Sequence, residues 1–311
     1  MLPDIFKKNC RICFFGDSIT AAGLWIREFT DYLLTYHRDK RILPFNCGVP
    51  GDSASNAVRR LHVDCLQYFP QYVVIMFGMN DIGRALYSSE NPDERTGKLR
   101  RERLDLFRES LRRILDGVRE VGAEAILCTP TPYDNWSEKE EPNLICSNQG
   151  LEECRRIVYA LGDEDGVPVV DFFTAFMSYR EKHPEIDLIQ DDRVHPNTAG
   201  HQLMTRVFLR ELGCLPHGEE ELNLILHPAN AERFRTEQLL RDISFLEWCL
   251  FYDVQGSWEE GHTQQQERIQ KALNWRNAYA DHAVEVFLQH KTEQDERRER
   301  LLCQTLSMYK S

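Results

Sequence analysis

The sequence predicts an α/β domain with about five parallel strands covered by helices on both faces, extended at its C-terminal end by an α-helical hairpin. Three observations carry this. Short apolar runs rich in β-branched and aromatic residues alternate with longer segments of helical periodicity, the pattern of successive βαβ units with right-handed crossovers. The clearest run, Tyr72–Phe77, has no polar interruption, as expected of a parallel strand buried on both faces. After Gly213 the strand signal disappears. A linker over Gly213–Glu221, with Pro216 and Gly218, therefore separates a domain over 1–215 from an α-helical extension over 216–311.

The first strand is Ile12–Phe15. It stops at Gly16 and opens onto Asp17-Ser18-Ile19-Thr20, which reads as a strand, a tight turn and a helix start. Leu24, Ile26, Phe29, Leu33 and Leu34 then predict a helix over Leu24–His37. Arg41–Cys47 is a second strand, closed by Gly48-Val49-Pro50-Gly51. Asp52–Asn56 leads into a helix with Val58, Leu61, Cys65 and Leu66 on one face, ended by Pro70. The third strand, Tyr72–Phe77, stops at Gly78-Met79-Asn80-Asp81. Leu104, Phe107, Leu111, Leu115 and Val118 form the apolar stripe of a long helix over Leu99–Val121. Glu124–Cys128 is a fourth strand, followed by Thr129–Pro132, a polar loop to about Cys146 and a helix over Leu151–Leu161. Val167–Asp171 is a fifth strand. A short helical piece over Phe172–Lys182 precedes Asp191–Asn197, where Asn197 suits the N-cap of a helix through Leu212. Beyond the linker, helices over about Asn230–Val254 and from about Thr263 form an α-hairpin turning near Gly256 and Gly261. That hairpin is too thin for a core of its own. It is expected to pack on the sheet domain or on a second copy, making a homo-oligomer through the C-terminal helices.

Composition narrows the function classes. Of 311 residues, 42% are apolar, and the net charge is −12 from 38 basic and 50 acidic side chains. This balance argues against a nucleic-acid backbone or an anionic membrane surface as the main partner. Apolar runs are only a few residues long, so no transmembrane helix is expected. Met1–Lys8 lacks the basic start and apolar core of a secretory signal, which points to a cytoplasmic protein with its ten cysteines reduced. Cys10-Arg11-Ile12-Cys13 matches C-x-x-C, but it enters the first strand instead of following a strand and opening a helix, as a redox motif would. A zinc site built on it would need a second pair at similar spacing, and there is none. No metal ligand set and no cofactor are expected.

Four positions carry chemistry: Ser18, Gly51, Asn80, and Asp192 with His195. Each falls at a predicted strand end or just before a helix, and in an open parallel sheet those ends share one edge. A serine hydroxyl is a weak nucleophile until a base takes its proton, which an imidazole does near neutral pH. The imidazole needs an acceptor on its other nitrogen to fix tautomer and orientation. Asp192, three residues before His195, is placed to reach the same ring, with Asp191 second in rank. A tetrahedral intermediate needs donors at its oxyanion. The Ser18 N–H, the Gly51 N–H and the Asn80 side-chain amide are the candidates. His62 and His201 read as structural residues of their helices.

These motifs resemble the SGNH (GDSL-type) hydrolase family. Gly16-Asp17-Ser18-Ile19-Thr20, Gly48-Val49-Pro50-Gly51-Asp52-Ser53, Gly78-Met79-Asn80-Asp81 and Asp192-Arg193-Val194-His195-Pro196 are similar to its four blocks and occur in its order. The resemblance implies a flavodoxin-like three-layer α/β/α sandwich and a metal-independent serine ester hydrolase. It implies Ser18, Asp192 and His195 as catalytic residues, with Ser18, Gly51 and Asn80 as the oxyanion hole. The loop carrying Tyr133, Asn135 and Trp136 is expected to overhang the site. Tyr133 and Trp136 suit a sugar ring, or equally pin a long loop, and Asp17 is a further candidate substrate contact. Short-chain acyl esters such as O-acetylated carbohydrates are the preferred substrates. The alternatives are a lysophospholipase- or thioesterase-type lipid acylhydrolase, and a non-catalytic ligand-binding or interaction protein on the same fold.

Overall fold

The computed structural model describes residues 7–214 apart from 38, 39 and 41, so the predicted C-terminal hairpin lies outside the described residues. Five strands, β1 Arg11–Gly16, β2 Leu43–Gly48, β3 Tyr72–Met76, β4 Glu124–Cys128 and β5 Val169–Val170, form one parallel sheet in the order β2-β1-β3-β4-β5. That is the flavodoxin-like order, whose chain reverses its direction across the sheet between β1 and β3. Gly16 at the end of β1 lies in register with Gly48 of β2 and Met76 of β3. The turns leaving these three strands therefore emerge side by side at the switch point, where open sheets form their crevice.

Seven α-helices accompany the sheet among the described residues: α1 Ser18–Ala22, α2 Leu24–Tyr36, α3 Ala54–Asp64, α4 Glu94–Glu120, α5 Ser147–Asp165, α6 Phe172–Lys182 and α7 Thr198–Glu211. Alternation along β1 sends its side chains to two different layers. Phe14 meets Trp25 and Phe29 of α2 and Phe208 of α7 at ring distances of 5.0, 5.8 and 6.0 Å. Phe15 faces the other way, against Phe77 at 5.5 Å and beneath the Arg60 guanidinium of α3 at 4.4 Å. Helix α7 also packs on α6, and α4 packs on both α3 and α5. Every residue of β3 is buried, as its uninterrupted apolar run requires.

The differences from the sequence pattern have local causes. The helix expected from Leu24 is preceded by a separate short helix, because Gly23 adopts a left-handed conformation at φ +68° and ends α1. Helix α4 starts five residues before Leu99, where the Asp93 carboxylate accepts from Thr96 N at 2.7 Å and caps it. Leu104 is only half-buried on it. Helix α5 begins four residues before Leu151. Strand β5 shrinks to two residues because both of its expected ends serve helices. Val167 N donates to Gly162 O at the end of α5, and Asp171 caps α6 by accepting from Thr174 N. The eight cysteines among the described residues are free thiols, and no helix there is long and apolar enough to cross a membrane.

Candidate active site

Ser18 opens α1 directly after β1. Its position is set by Asp17, whose buried carboxylate accepts from Ile19 N at 2.9 Å as the N-cap. The Ser18 Oγ lies 2.7 Å from His195 Nε2. His195 sits in the loop between α6 and α7, which is tied at both ends: Gln190 N donates to His195 O at 2.7 Å, and Asn197 N to Leu188 O at 2.9 Å. Asp192 joins this arrangement twice. Its Oδ1 accepts from Val194 N and His195 N, both at 2.9 Å, while its Oδ2 meets His195 Nδ1. Partial burial alone would raise the Asp192 pKa, but the His195 backbone N–H, the imidazole and the Val194 N–H together hold it below the ordinary range. Asp192, and not Asp191, is the residue that meets the ring.

The turn that makes this possible is strained. Arg193, between the carboxylate and the imidazole, has φ +64°, a conformation that costs a side-chain-bearing residue roughly 1–2 kcal/mol. It is held there by its own side chain. The buried guanidinium donates to Glu141 O at 2.7 Å, Ser137 O at 2.9 Å, and Asp134 O and Lys139 O at 3.0 Å. Lys139 fastens the same two loops from the other side. Its ammonium pairs with buried Asp134 at 2.7 Å and Asp187 at 3.0 Å, and donates to Ile189 O and Gln190 O. Nothing in the sequence pattern marks Arg193 apart from its place inside D-x-x-H. Arg193→Ala should destabilise the protein by several kcal/mol, because it strands buried carbonyls and keeps the strain. Arg193→Gly should be less damaging by about 1 kcal/mol, and thermal unfolding of the two variants checks the ordering.

The remaining turns carry the predicted oxyanion donors. Gly51 is exposed at φ +76°, with open space around it, so conformation and not room favours glycine there. Asn80 Nδ2 donates to Asp52 O at 2.8 Å, and Arg84 Nη1 donates to Asn80 Oδ1 at 3.3 Å and to Met79 O at 3.1 Å. These contacts fix which end of the amide faces Asp52 and leave one amide hydrogen over. Among the described residues, the Ser18 and Gly51 N–H groups have no hydrogen-bond acceptor.

Asp81, next to Asn80, links the turns after β2 and β3 by accepting from Ala54 N at 2.8 Å and from Gly78 N at 2.9 Å. Behind them, the fully buried Arg60 donates to Asp52 Oδ2 at 2.7 Å, Cys47 O at 2.8 Å and Gly16 O at 2.9 Å, joining the ends of β1 and β2. Burial pushes Asp17 up to about 6 and Asp81 up to about 7, and also raises Asp52. Asp81 belongs to a motif the sequence showed. Its clamping role, and that of Arg60, became visible only with the fold.

The substrate-contact expectations change. Tyr133 is buried, and its hydroxyl donates to Pro142 O at 3.1 Å and accepts from Leu144 N at 3.2 Å. It pins the loop from inside, because a long polar loop must satisfy its own backbone groups, and its ring is not a platform. Trp136 is half-buried, with the Arg180 guanidinium 4.5 Å over its ring. Asp17 is a buried cap, not a surface contact. Among the described residues, the side chains grouped closely enough to hold a metal ion are Cys13, Cys47 and Cys65.

The chain is similar to an acetylxylan esterase of Geobacillus stearothermophilus, 26% identical over 219 residues that cover 65% of this chain and 94% of that protein. It also resembles an uncharacterized lipoprotein of Bacillus subtilis, 31% identical over 125 residues, 38% of this chain and 47% of the relative. Among solved structures, the acetylxylan esterase Axe2 of G. stearothermophilus shares its fold at TM-score 0.55 and 24% identity, covering 70% of this chain and all of that one. A gut microbial diltiazem-metabolizing enzyme does so at TM-score 0.68 and 16% identity, covering 100% of this chain and 96% of that one. Residues 14–203, more than half of the sequence, match the profile of the GDSL-like Lipase/Acylhydrolase family; the chain belongs to that family and is a carboxylic ester hydrolase.

Proposed function

We propose that the protein hydrolyses short-chain acyl esters, O-acetylated carbohydrates among them, through an acyl-enzyme on Ser18. The observation that carries this reading is the unbroken line of hydrogen bonds from Ser18 Oγ through the His195 ring to Asp192. In the first half-reaction the Ser18 oxygen attacks the ester carbonyl carbon while His195 Nε2 takes its proton. The C–O bond to the alcohol then breaks, and the same proton leaves with that alcohol. In the second half, water attacks the acyl carbon, again giving its proton to Nε2, and the carboxylic acid departs as Ser18 regains its hydrogen. Asp192 keeps the imidazole in the tautomer that leaves Nε2 free to accept and stabilises the imidazolium that forms.

The uncommitted N–H groups of Ser18, Gly51 and Asn80 are the donors suited to the oxyanion. Asn80→Ala should lower kcat on the order of 10²–10³-fold with little change in KM, since such a donor acts mainly in the transition state. Steady-state kinetics on a chromogenic acetate ester measures it.

The carbohydrate acetate is favoured by the similarity to a protein named acetylxylan esterase. The substrate class is tested by comparing acetate release from acetylated xylo-oligosaccharides with hydrolysis of simple esters of increasing acyl length. A rate that falls steeply with acyl length and is high on the acetylated sugar supports the reading. Preference for long acyl chains would favour a lipid acylhydrolase instead.

A further inference from the structure

Three cysteines far apart in sequence meet behind the turns of the site. Cys13 leaves β1 on the face it shares with Phe15, Cys47 comes from β2, and Cys65 closes α3. Their Sγ atoms all lie within 4.8 Å of one another, and none of the three residues is more than 5% exposed. Sequence spacing concealed the group, because Cys10, the C-x-x-C neighbour of Cys13, is not in it.

The mutual approach of three sulfurs from three separate elements distinguishes this cluster from thiols that merely fill a core. The fully buried Arg60 side chain borders it, donating to Cys47 O at 2.8 Å. Asp64, next to Cys65, is paired with Arg60, whose Nη1 lies 3.5 Å from its Oδ2. The three sulfurs supply three of the four ligands that structural zinc takes. Zinc–sulfur bonds of about 2.3 Å put tetrahedral sulfurs about 3.8 Å apart. Each pair thus has to close by no more than about 1 Å.

We propose that Cys13, Cys47 and Cys65 together bind a thiophilic divalent cation of the zinc class through their three sulfurs. Binding replaces three S–H bonds by three metal–sulfur bonds and releases the protons to solvent. The ion ties β1, β2 and the end of α3 together, the elements that lead into the Ser18 and Gly51 turns and carry Arg60. Because the sulfurs are buried, it enters as the chain folds or when the end of α3 opens.

Cadmium is the probe, since its thiolate charge-transfer absorbance reports sulfur ligation directly. The full chain is unfolded under reducing conditions, refolded with one equivalent of Cd²⁺ and gel-filtered, and then measured for bound cadmium, ultraviolet absorbance and thermal transition. The expected result is about one retained cadmium per chain, a band of three-thiolate intensity, a higher transition temperature and a weaker band when Zn²⁺ is present in large excess during refolding. Cys13→Ala, Cys47→Ala and Cys65→Ala should each diminish the band, whereas Cys128→Ala and Cys154→Ala should not. Refolded wild type with native circular dichroism but no retained cadmium would overturn the site even if the core variants fail to fold. A band unchanged in the three variants would do the same.

Discussion

Ser18→Ala should lower kcat on a chromogenic acetate ester by on the order of 10⁴-fold or more while leaving KM close to wild type. The substitution removes one oxygen from a half-buried position and leaves the local fold in place. Helix α1 is capped by Asp17, not by Ser18, and β1 ends before the turn, so the thermal transition should stay near wild type. The loss is large because every bond-making step starts or ends on that oxygen. What remains is whatever the oxyanion donors and binding provide to attack by water. Stopped assays of both proteins at matched concentration give the ratio. Equal rates would remove Ser18 from the chemistry and favour a ligand-binding role for the fold.

Asp192→Asn should come next, with a fall in kcat on the order of 10³–10⁴-fold. The amide oxygen can still accept from Val194 N and His195 N, as Asp192 Oδ1 does now at 2.9 Å, so the turn survives. The difference lies at Oδ2, which meets His195 Nδ1. An amide NH₂ there donates to Nδ1 and drives the ring proton to Nε2, where it blocks acceptance of the Ser18 proton. The loss should therefore appear in kcat, with a thermal transition little changed. A comparable fall in stability would instead assign Asp192 a mainly structural part in the turn.

The sequence pattern located the candidate site better than its supports. Ser18, Gly51, Asn80 and His195 stood at strand ends or helix starts, and a parallel sheet brings such positions to one edge whatever the details between them. The ordered motifs and the alternation of apolar runs with helical periodicity were enough for that. Asp192 was legible because three residues along one turn is a local relation. Tertiary pairs were not legible. Arg60 looks in sequence like one more polar residue of a surface helix, yet it is buried and joins three backbone or carboxylate partners from separate segments. Arg193 reaches across to the loop at 134–141, and only that contact explains how an arginine sustains a left-handed backbone between the two residues that must meet. For Tyr133 the sequence leaves a ring platform and a loop pin equally open, and only the fold decides between them, through the hydroxyl that closes the loop on Pro142 and Leu144. Element ends moved where a cap outranked apolar spacing, as at Asp93, or where Gly23 divided one helical pattern into two.

In the proposed mechanism Ser18 carries the acyl group between the two half-reactions. The most direct test is to quench the wild-type protein within the first turnovers on a chromogenic acetate ester and map the acetylated peptide by mass spectrometry, with Ser18→Ala in parallel. An acetyl group on Ser18, matched by a burst of released alcohol and absent from the variant, is the predicted result. Turnover at the wild-type rate with no acyl group on Ser18 would place the attacking oxygen elsewhere.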